Sequence, residues 1–205
     1  MDRCFIYSAG SFYGLRERPA EGDLRIAADA GLELCRSLGF EPDAVIGDFD
    51  STDEPKSGIE CIRVPVEKDD TDTLLAVRMG LSRGCREFHL YGCTGGTRPD
   101  HTLANLQTLA FLCRRGARGF MYDKNHVYTV IENGSVEIER TVENGTVSVF
   151  AMTDKVSGVT LEGLQYPLAD AELTSDFPLG VSNHIIADKA RVSCGKGLLL
   201  VCREI

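Results

Sequence analysis

Carboxylates and small hydrogen-bond donors gather at a few points of this chain. Gly47-Asp48-Phe49-Asp50-Ser51 sets two aspartates two positions apart, where a tight turn can aim both at one ion. Lys68-Asp69-Asp70-Thr71-Asp72 adds further acid beside a lysine, and Asp29 stands alone after an apolar run. Gly92-Cys93-Thr94-Gly95-Gly96-Thr97-Arg98 is a glycine-rich loop that can offer backbone N–H groups and a guanidinium to phosphate oxygens. Carboxylates brought together repel one another unless a cation sits among them. Hard oxygens shared with water and phosphate suit Mg²⁺. The same aspartates also suit helix caps and turns, so single positions such as Asp69 and Asp70 stay open between the two roles. For Asp48 and Asp50 metal is favoured, because a cap needs one carboxylate.

Other chemistries find less support. The cysteines at 4, 35, 61, 85, 93, 113, 194 and 202 form no C-x-x-C pair, which disfavours zinc and suits reduced thiols in an intracellular protein. His89 falls mid-strand, in a core position. His101 follows Asp100 at a helix start, where it can orient that carboxylate. His126 and His184 have no spacing partners. No G-x-x-x-x-G-K-[ST] phosphate loop occurs, and no G-x-G-x-x-G follows the first strand.

The elements that must position these residues alternate in the first half. Apolar runs at 3–8, 24–28, 44–47, 59–64, 87–91 and 119–122 suit buried parallel strands. Between them, helices are predicted over 30–38, 72–83 and 100–115, each ending at a glycine suited to a left-handed C-cap. Strand alternating with helix implies an α/β domain with a mostly parallel sheet over residues 1–124. In such a sheet the segments holding Asp29, Asp48, Asp50, Asp72 and the 92–98 loop share the carboxyl edge, where open α/β folds bind ligands. Beyond residue 124 the helical signal stops. Strands are predicted over 126–131, 135–140, 146–152, 156–162, 185–193 and 198–203, with turns at Asn133-Gly134, Asn144-Gly145 and Gly195-Lys196-Gly197. This spacing suggests a smaller all-β sandwich over 125–205.

Composition sets outer bounds. The chain has 205 residues, enough for one large or two small domains, and its 43% hydrophobic and 26% charged content suits a soluble globule. Asp and Glu number 31 against 22 Lys and Arg, a net charge of −9, which disfavours a nucleic-acid partner. No apolar run approaches a membrane span, and Ser8-Ala9-Gly10 comes too early for a secretory signal, so a cytoplasmic location is expected.

Taken in order, the segments resemble the thiamine pyrophosphokinase family. The matching residues are Ala28-Asp29-Ala30-Gly31, Gly47 to Ser51, Lys68 to Asp72, and Gly95-Gly96-Thr97-Arg98-Pro99-Asp100-His101 with Asn105 beyond. In the second half, Gly163-Leu164-Gln165-Tyr166-Pro167-Leu168 and Gly180-Val181-Ser182-Asn183 also fit. Two positions depart: Ala30 where the family usually has a second glycine, and Tyr166 where some members carry tryptophan.

The resemblance implies an α/β catalytic domain that binds ATP and Mg²⁺, a thiamine-binding β-sandwich, and a homodimer with thiamine held across the subunit interface. It implies transfer of pyrophosphate from ATP to the hydroxyethyl oxygen of thiamine, giving thiamine diphosphate and AMP. Asp48, Asp50 and Asp72 would hold the metal. Arg98 and Lys68 would meet the phosphates, although Lys68 equally suits a solvated surface charge. Asp29 would touch the nucleotide, and Asp100, Ser182 and Asn183 the thiamine. Two other classes compete. A D-x-D phosphatase wants its D-x-D after the first strand, where Ser8-Ala9-Gly10 stands instead. A non-catalytic ligand sensor would have no need to keep Asp48, Asp50 and Asp72 together.

Overall fold

The structure, a computed structural model, describes residues 2–47, 58–65 and 69–205. Asp48, Asp50 and Lys68 lie outside the described residues. The chain forms two compact units, one of residues 1–112 with 116–124, the other of residues 113–115 with 125–205.

In the first unit, β1 (Arg3–Tyr7), β2 (Leu24–Ala28), β3 (Ala44–Gly47), β4 (Glu60–Arg63), β5 (Glu87–Tyr91) and β6 (Arg118–Tyr122) pair in the order β6-β5-β1-β2-β3-β4. Every one of these pairings is parallel. The strand order runs outward in both directions from the β1–β5 pair, so the chain leaves a crevice at the carboxyl ends of those two strands. β4 lies at the sheet edge and is mostly exposed, including Cys61. Its apolar run had implied a buried strand, but an edge strand has a neighbour on one side only.

Helices α1 (Gly31–Ser37), α2 (Asp72–Ser82) and α3 (Pro99–Cys113) connect the strands. Thr71 caps α2, its hydroxyl accepting from the Leu74 N–H at 3.2 Å. Pro99 opens α3, where the missing N–H has no intrahelical partner to lose. Gly39, Gly84 and Gly116, just past the three helices, all have positive φ, as the C-cap pattern requires. Alternation along the strands sorts the core. Gly80 of α2 lies tight against Phe88 and Cys4 on one face. On the other, Phe5 stacks on His89 at 4.6 Å and Tyr91 stacks on Tyr122 at 4.7 Å. All eight cysteines are free thiols.

The second unit pairs its strands antiparallel throughout. It contains β7 (His126–Glu139), β8 (Thr146–Ala151), β9 (Lys155–Glu162), β10 (Leu168–Thr174), β11 (Asn183–His184) and β12 (Lys189–Glu204). Val147, Val149, Val159, Leu161, Val192, Leu199 and Val201 are central to its core. Asn133-Gly134 does not turn the chain. β7 runs straight through it, paired with β12 from Glu139↔Lys189 to His126↔Glu204. Gly195-Lys196-Gly197 is likewise inside a strand, at a register shift between Cys194 and Leu198 that faces Asn133-Gly134. The two breaker sequences lie opposite each other and absorb one irregularity in a long ribbon, a bulge rather than two hairpins. β10 carries little strand signal, because LADAELT is poor in β-branched and aromatic residues; its irregular pairing with β9 supplies the missing drive. Among the described residues, no helix is long and apolar enough to cross a membrane.

Candidate functional site

A cleft of about 410 Å³ opens at the carboxyl edge of the first unit. Its walls come from the segments after β1 (Ser8–Gly10), after β2 (Asp29) and after β5 (Gly92–Arg98), and from the first turns of α2 and α3. The topology therefore brings Asp29, Asp72 and Arg98 to one cavity, across some seventy residues of chain.

Asp29 sits in the left-handed region at φ 52, its N–H donating to the Ile46 carbonyl at 2.7 Å. An unusual backbone held at a site edge is the kind of strain that surrounding contacts must fix. Here Gly31 does part of that. A Cβ on it would meet the Tyr7 carbonyl oxygen at 1.9 Å, so only glycine lets α1 start this close to β1. Ala30, by contrast, has φ −61, which any L-residue adopts. A glycine is not needed for this backbone.

Asp72 is the first residue of α2 and lines the cleft. The capping duty belongs to Thr71, so the cap explanation does not account for Asp72. Asp70 reaches Arg78 at 3.4 Å instead, a surface ion pair. Among the described residues, no three His, Cys, Asp or Glu side chains come together as a metal set. Asp48 and Asp50 lie outside those residues, so the sequence-derived triad is placed at Asp72 alone. Asp29 and Asp72 still give the cleft hard oxygen donors, the donor type that suits Mg²⁺.

The loop after β5 is anchored at one end and projecting at the other. Asn105, buried in α3, donates from Nδ2 to the Cys93 carbonyl at 2.8 Å. The Thr94 hydroxyl donates to Asp123 at 3.1 Å, and the Ser11 N–H donates to the Thr94 carbonyl at 2.8 Å. Beyond Thr94 the loop emerges, and Arg98 pairs with Asp100, Nη2 to Oδ2, at 2.7 Å. Asp100 is exposed and is not among the residues lining the cleft. Arg98, rather than His101, orients its carboxylate.

Ser182 and Asn183 belong to the second unit. Ser182 has φ 56, and its N–H donates to the Ser148 hydroxyl at 2.9 Å. Asn183 is 2% exposed. Its Oδ1 accepts from the Tyr166 N–H at 2.9 Å and the His184 N–H at 3.0 Å, while Nδ2 donates to the Tyr166 carbonyl at 2.7 Å. Asn183 thus clamps both backbone groups of Tyr166, whose side chain is exposed. Tyr166, Leu161, Leu168, Leu179, Val181 and Asn183 line an apolar hollow of about 310 Å³.

The sequence assigns no role to Ser8, Thr73 or Asn105. All three line the cleft and are less than a tenth exposed. A hydroxyl directly after an apolar strand, as at Ser8, was the available signal.

Two family descriptions match the chain: "Thiamin pyrophosphokinase, catalytic domain" over residues 16–120, and "Thiamin pyrophosphokinase, vitamin B1 binding domain" over residues 135–199. A curated relative, the thiamine pyrophosphokinase of Bacillus subtilis strain 168, is 30% identical over 190 residues, covering 90% of this chain and 88% of the relative. A crystal structure of thiamine pyrophosphokinase from Bacillus subtilis superposes with a TM-score of 0.90 at 27% identity, covering 99% of both chains. A second, from Geobacillus thermodenitrificans, gives 0.86 at 26% identity, covering 99% of this chain and 97% of that one. With catalytic and vitamin-binding matches both falling on the segments described, the chain belongs to the thiamin pyrophosphokinase family.

Proposed function

We propose that this chain transfers a pyrophosphoryl group from ATP to the hydroxyethyl oxygen of thiamine, giving thiamine diphosphate and AMP. The observation that carries this is the cleft in which Asp29, Asp72, a glycine-rich donor loop and Arg98 meet, in a member of this family. The thiamine hydroxyl oxygen bonds to the β-phosphorus as the bond from that phosphorus to the α–β bridging oxygen breaks; AMP leaves with the bridging oxygen, and the hydroxyl proton passes to solvent. Such transfers rely on alignment and charge neutralisation rather than on a covalent carrier.

Asp72, with Asp48 and Asp50, would hold Mg²⁺; bound there, the ion would neutralise charge building on the phosphate oxygens. Arg98 and Lys68 would bind phosphate oxygens, and Asp29 the nucleotide. On the thiamine side, Asp100 would accept from the exocyclic amine of the pyrimidine. Ser182 would contact thiamine, and Asn183 would join it by fixing Tyr166. We further propose that the parallel unit is the ATP-binding catalytic domain and the antiparallel unit a thiamine-binding sandwich. The protein would act in the cytoplasm as a homodimer. The exposed Tyr166, Leu179 and Val181, which line one apolar hollow, support that assembly, since an exposed apolar patch marks an interaction surface.

The test is to incubate the purified protein with ATP, Mg²⁺ and thiamine and to separate the nucleotides. AMP equimolar with thiamine diphosphate is expected. ADP with thiamine monophosphate as first product would overturn the proposal.

A further inference from the structure

The floor of the cleft contains a short hydrogen-bonded chain. The Cys93 thiol lies 3.5 Å from Ser8 Oγ and 3.6 Å from the Tyr91 carbonyl, and Ser8 Oγ lies 2.9 Å from Thr73 Oγ1. Ser8 is 6% exposed, Thr73 7% and Cys93 2%, and all three line the cleft. Ser8 follows β1, Cys93 follows β5 and Thr73 is the second residue of α2, so the chain joins three elements of the site.

The Cys93 thiol has two acceptors in reach, Ser8 Oγ at 3.5 Å and the Tyr91 carbonyl at 3.6 Å, and burial pushes it up to about 12, so it stays protonated. The Ser8–Thr73 link uses one hydroxyl hydrogen and leaves the other over. Among the described residues, the partner left for that hydrogen is the weakly accepting Cys93 sulfur, so an oxygen in the cleft competes for it readily. Around it are the first turn of α2, whose N-terminal end favours anions, and the Gly92–Arg98 loop. A buried O–H donor in that setting calls for an anionic oxygen.

We propose that the Ser8–Thr73 hydroxyl pair is a binding element for a phosphate oxygen of the nucleotide. This rests on the proposed use of ATP. The pair acts as one donor. Removing either hydroxyl breaks it, whereas a serine in place of Thr73 keeps it.

The experiment measures calorimetric affinity for an ATP analogue with a methylene α,β-bridge, in the presence of Mg²⁺, together with affinities for adenosine and thiamine. The proteins are the full chain and its Ser8→Ala, Thr73→Val and Thr73→Ser variants. A hydrogen bond to a charged oxygen predicts that Ser8→Ala and Thr73→Val weaken the analogue about tenfold or more. Thr73→Ser should stay within about threefold, and adenosine and thiamine should be unchanged, which a merely structural disturbance would not allow. Analogue affinities within twofold of the parent in Ser8→Ala and Thr73→Val would overturn the proposal. So would a Thr73→Ser loss equal to that of Thr73→Val, or an equal loss for adenosine. A parent protein that makes AMP and thiamine diphosphate, with variants unchanged, sinks this inference alone. A parent protein that binds no nucleotide sinks the proposed function and this inference with it.

Discussion

Arg98 and Asp100, which the family resemblance assigns to different substrates, hold each other. Arg98 Nη2 donates to Asp100 Oδ2 at 2.7 Å and Nε donates to Oδ1 at 3.1 Å, on side chains 64% and 62% exposed. The guanidinium keeps the Asp100 carboxyl below its ordinary range, and the carboxylate raises Arg98 in turn. Asp100 therefore stays ionised at neutral pH.

Loss of Arg98 should accordingly show in turnover rather than in stability. Arg98→Ala is expected to lower kcat/KM for ATP on the order of 10²-fold, the usual loss when a donor to a transferring phosphoryl group is removed. Its melting temperature should match the parent's, because an exposed ion pair contributes little to stability. Arg98→Lys should rescue poorly, since an ammonium cannot reproduce the planar fork. Asp100→Asn should raise KM for thiamine more than KM for ATP. Steady-state kinetics with each substrate varied would check all three variants.

Asp72 stands in the first turn of α2, where Thr71 supplies the cap. Asp72→Asn should fold normally and lose about 10²-fold or more in Mg²⁺-dependent turnover. Chelation of divalent cations should abolish activity, and added Mg²⁺ should restore it. Asp48→Ala and Asp50→Ala are expected to behave alike. Near-normal rates in these folded variants would remove the metal assignment.

Asn105 holds the buried Cys93 carbonyl. Asn105→Ala leaves that carbonyl without its donor, which costs about 1–3 kcal/mol. Urea unfolding should show a lower midpoint with an unchanged slope. The loop that starts at Cys93 carries Arg98, so kcat should fall in the same variant.

His89 is buried in an aromatic stack, with Nδ1 2.8 Å from the Tyr122 hydroxyl and Nε2 3.1 Å from Glu87. Burial outweighs the Glu87 carboxylate and lowers its pKa from the ordinary 6.5. Below that value the unfolded chain binds a proton that the folded one resists. Its contribution to stability is therefore complete above 6.5 and is lost as pH falls through the folded pKa. Unfolding midpoints measured from pH 7 to pH 5 should decline, and His89→Gln should flatten that decline.

The first half of the fold was legible in the residues because its signals are local. Apolar runs such as Leu24–Ala28 and Glu87–Tyr91, and glycines past the helix ends, mark elements whose limits follow from short-range sterics and burial. The gathering of Asp29, Asp72 and the Gly92–Arg98 loop also followed, since a parallel sheet sends every strand's carboxyl end to one edge. What lay beyond local sequence was pairing. Asn133-Gly134 looks like a turn until β12 sets its own irregularity opposite, and β10 is strand only because β9 lies beside it. The same holds in the site. Ser8 and Thr73 are 65 positions apart, and Asn183 is 17 from the Tyr166 backbone it clamps. A hydroxyl or an amide carries no mark of its partner in the chain; which oxygen it meets is decided only when packing excludes water and leaves each buried polar group the neighbours the fold provides.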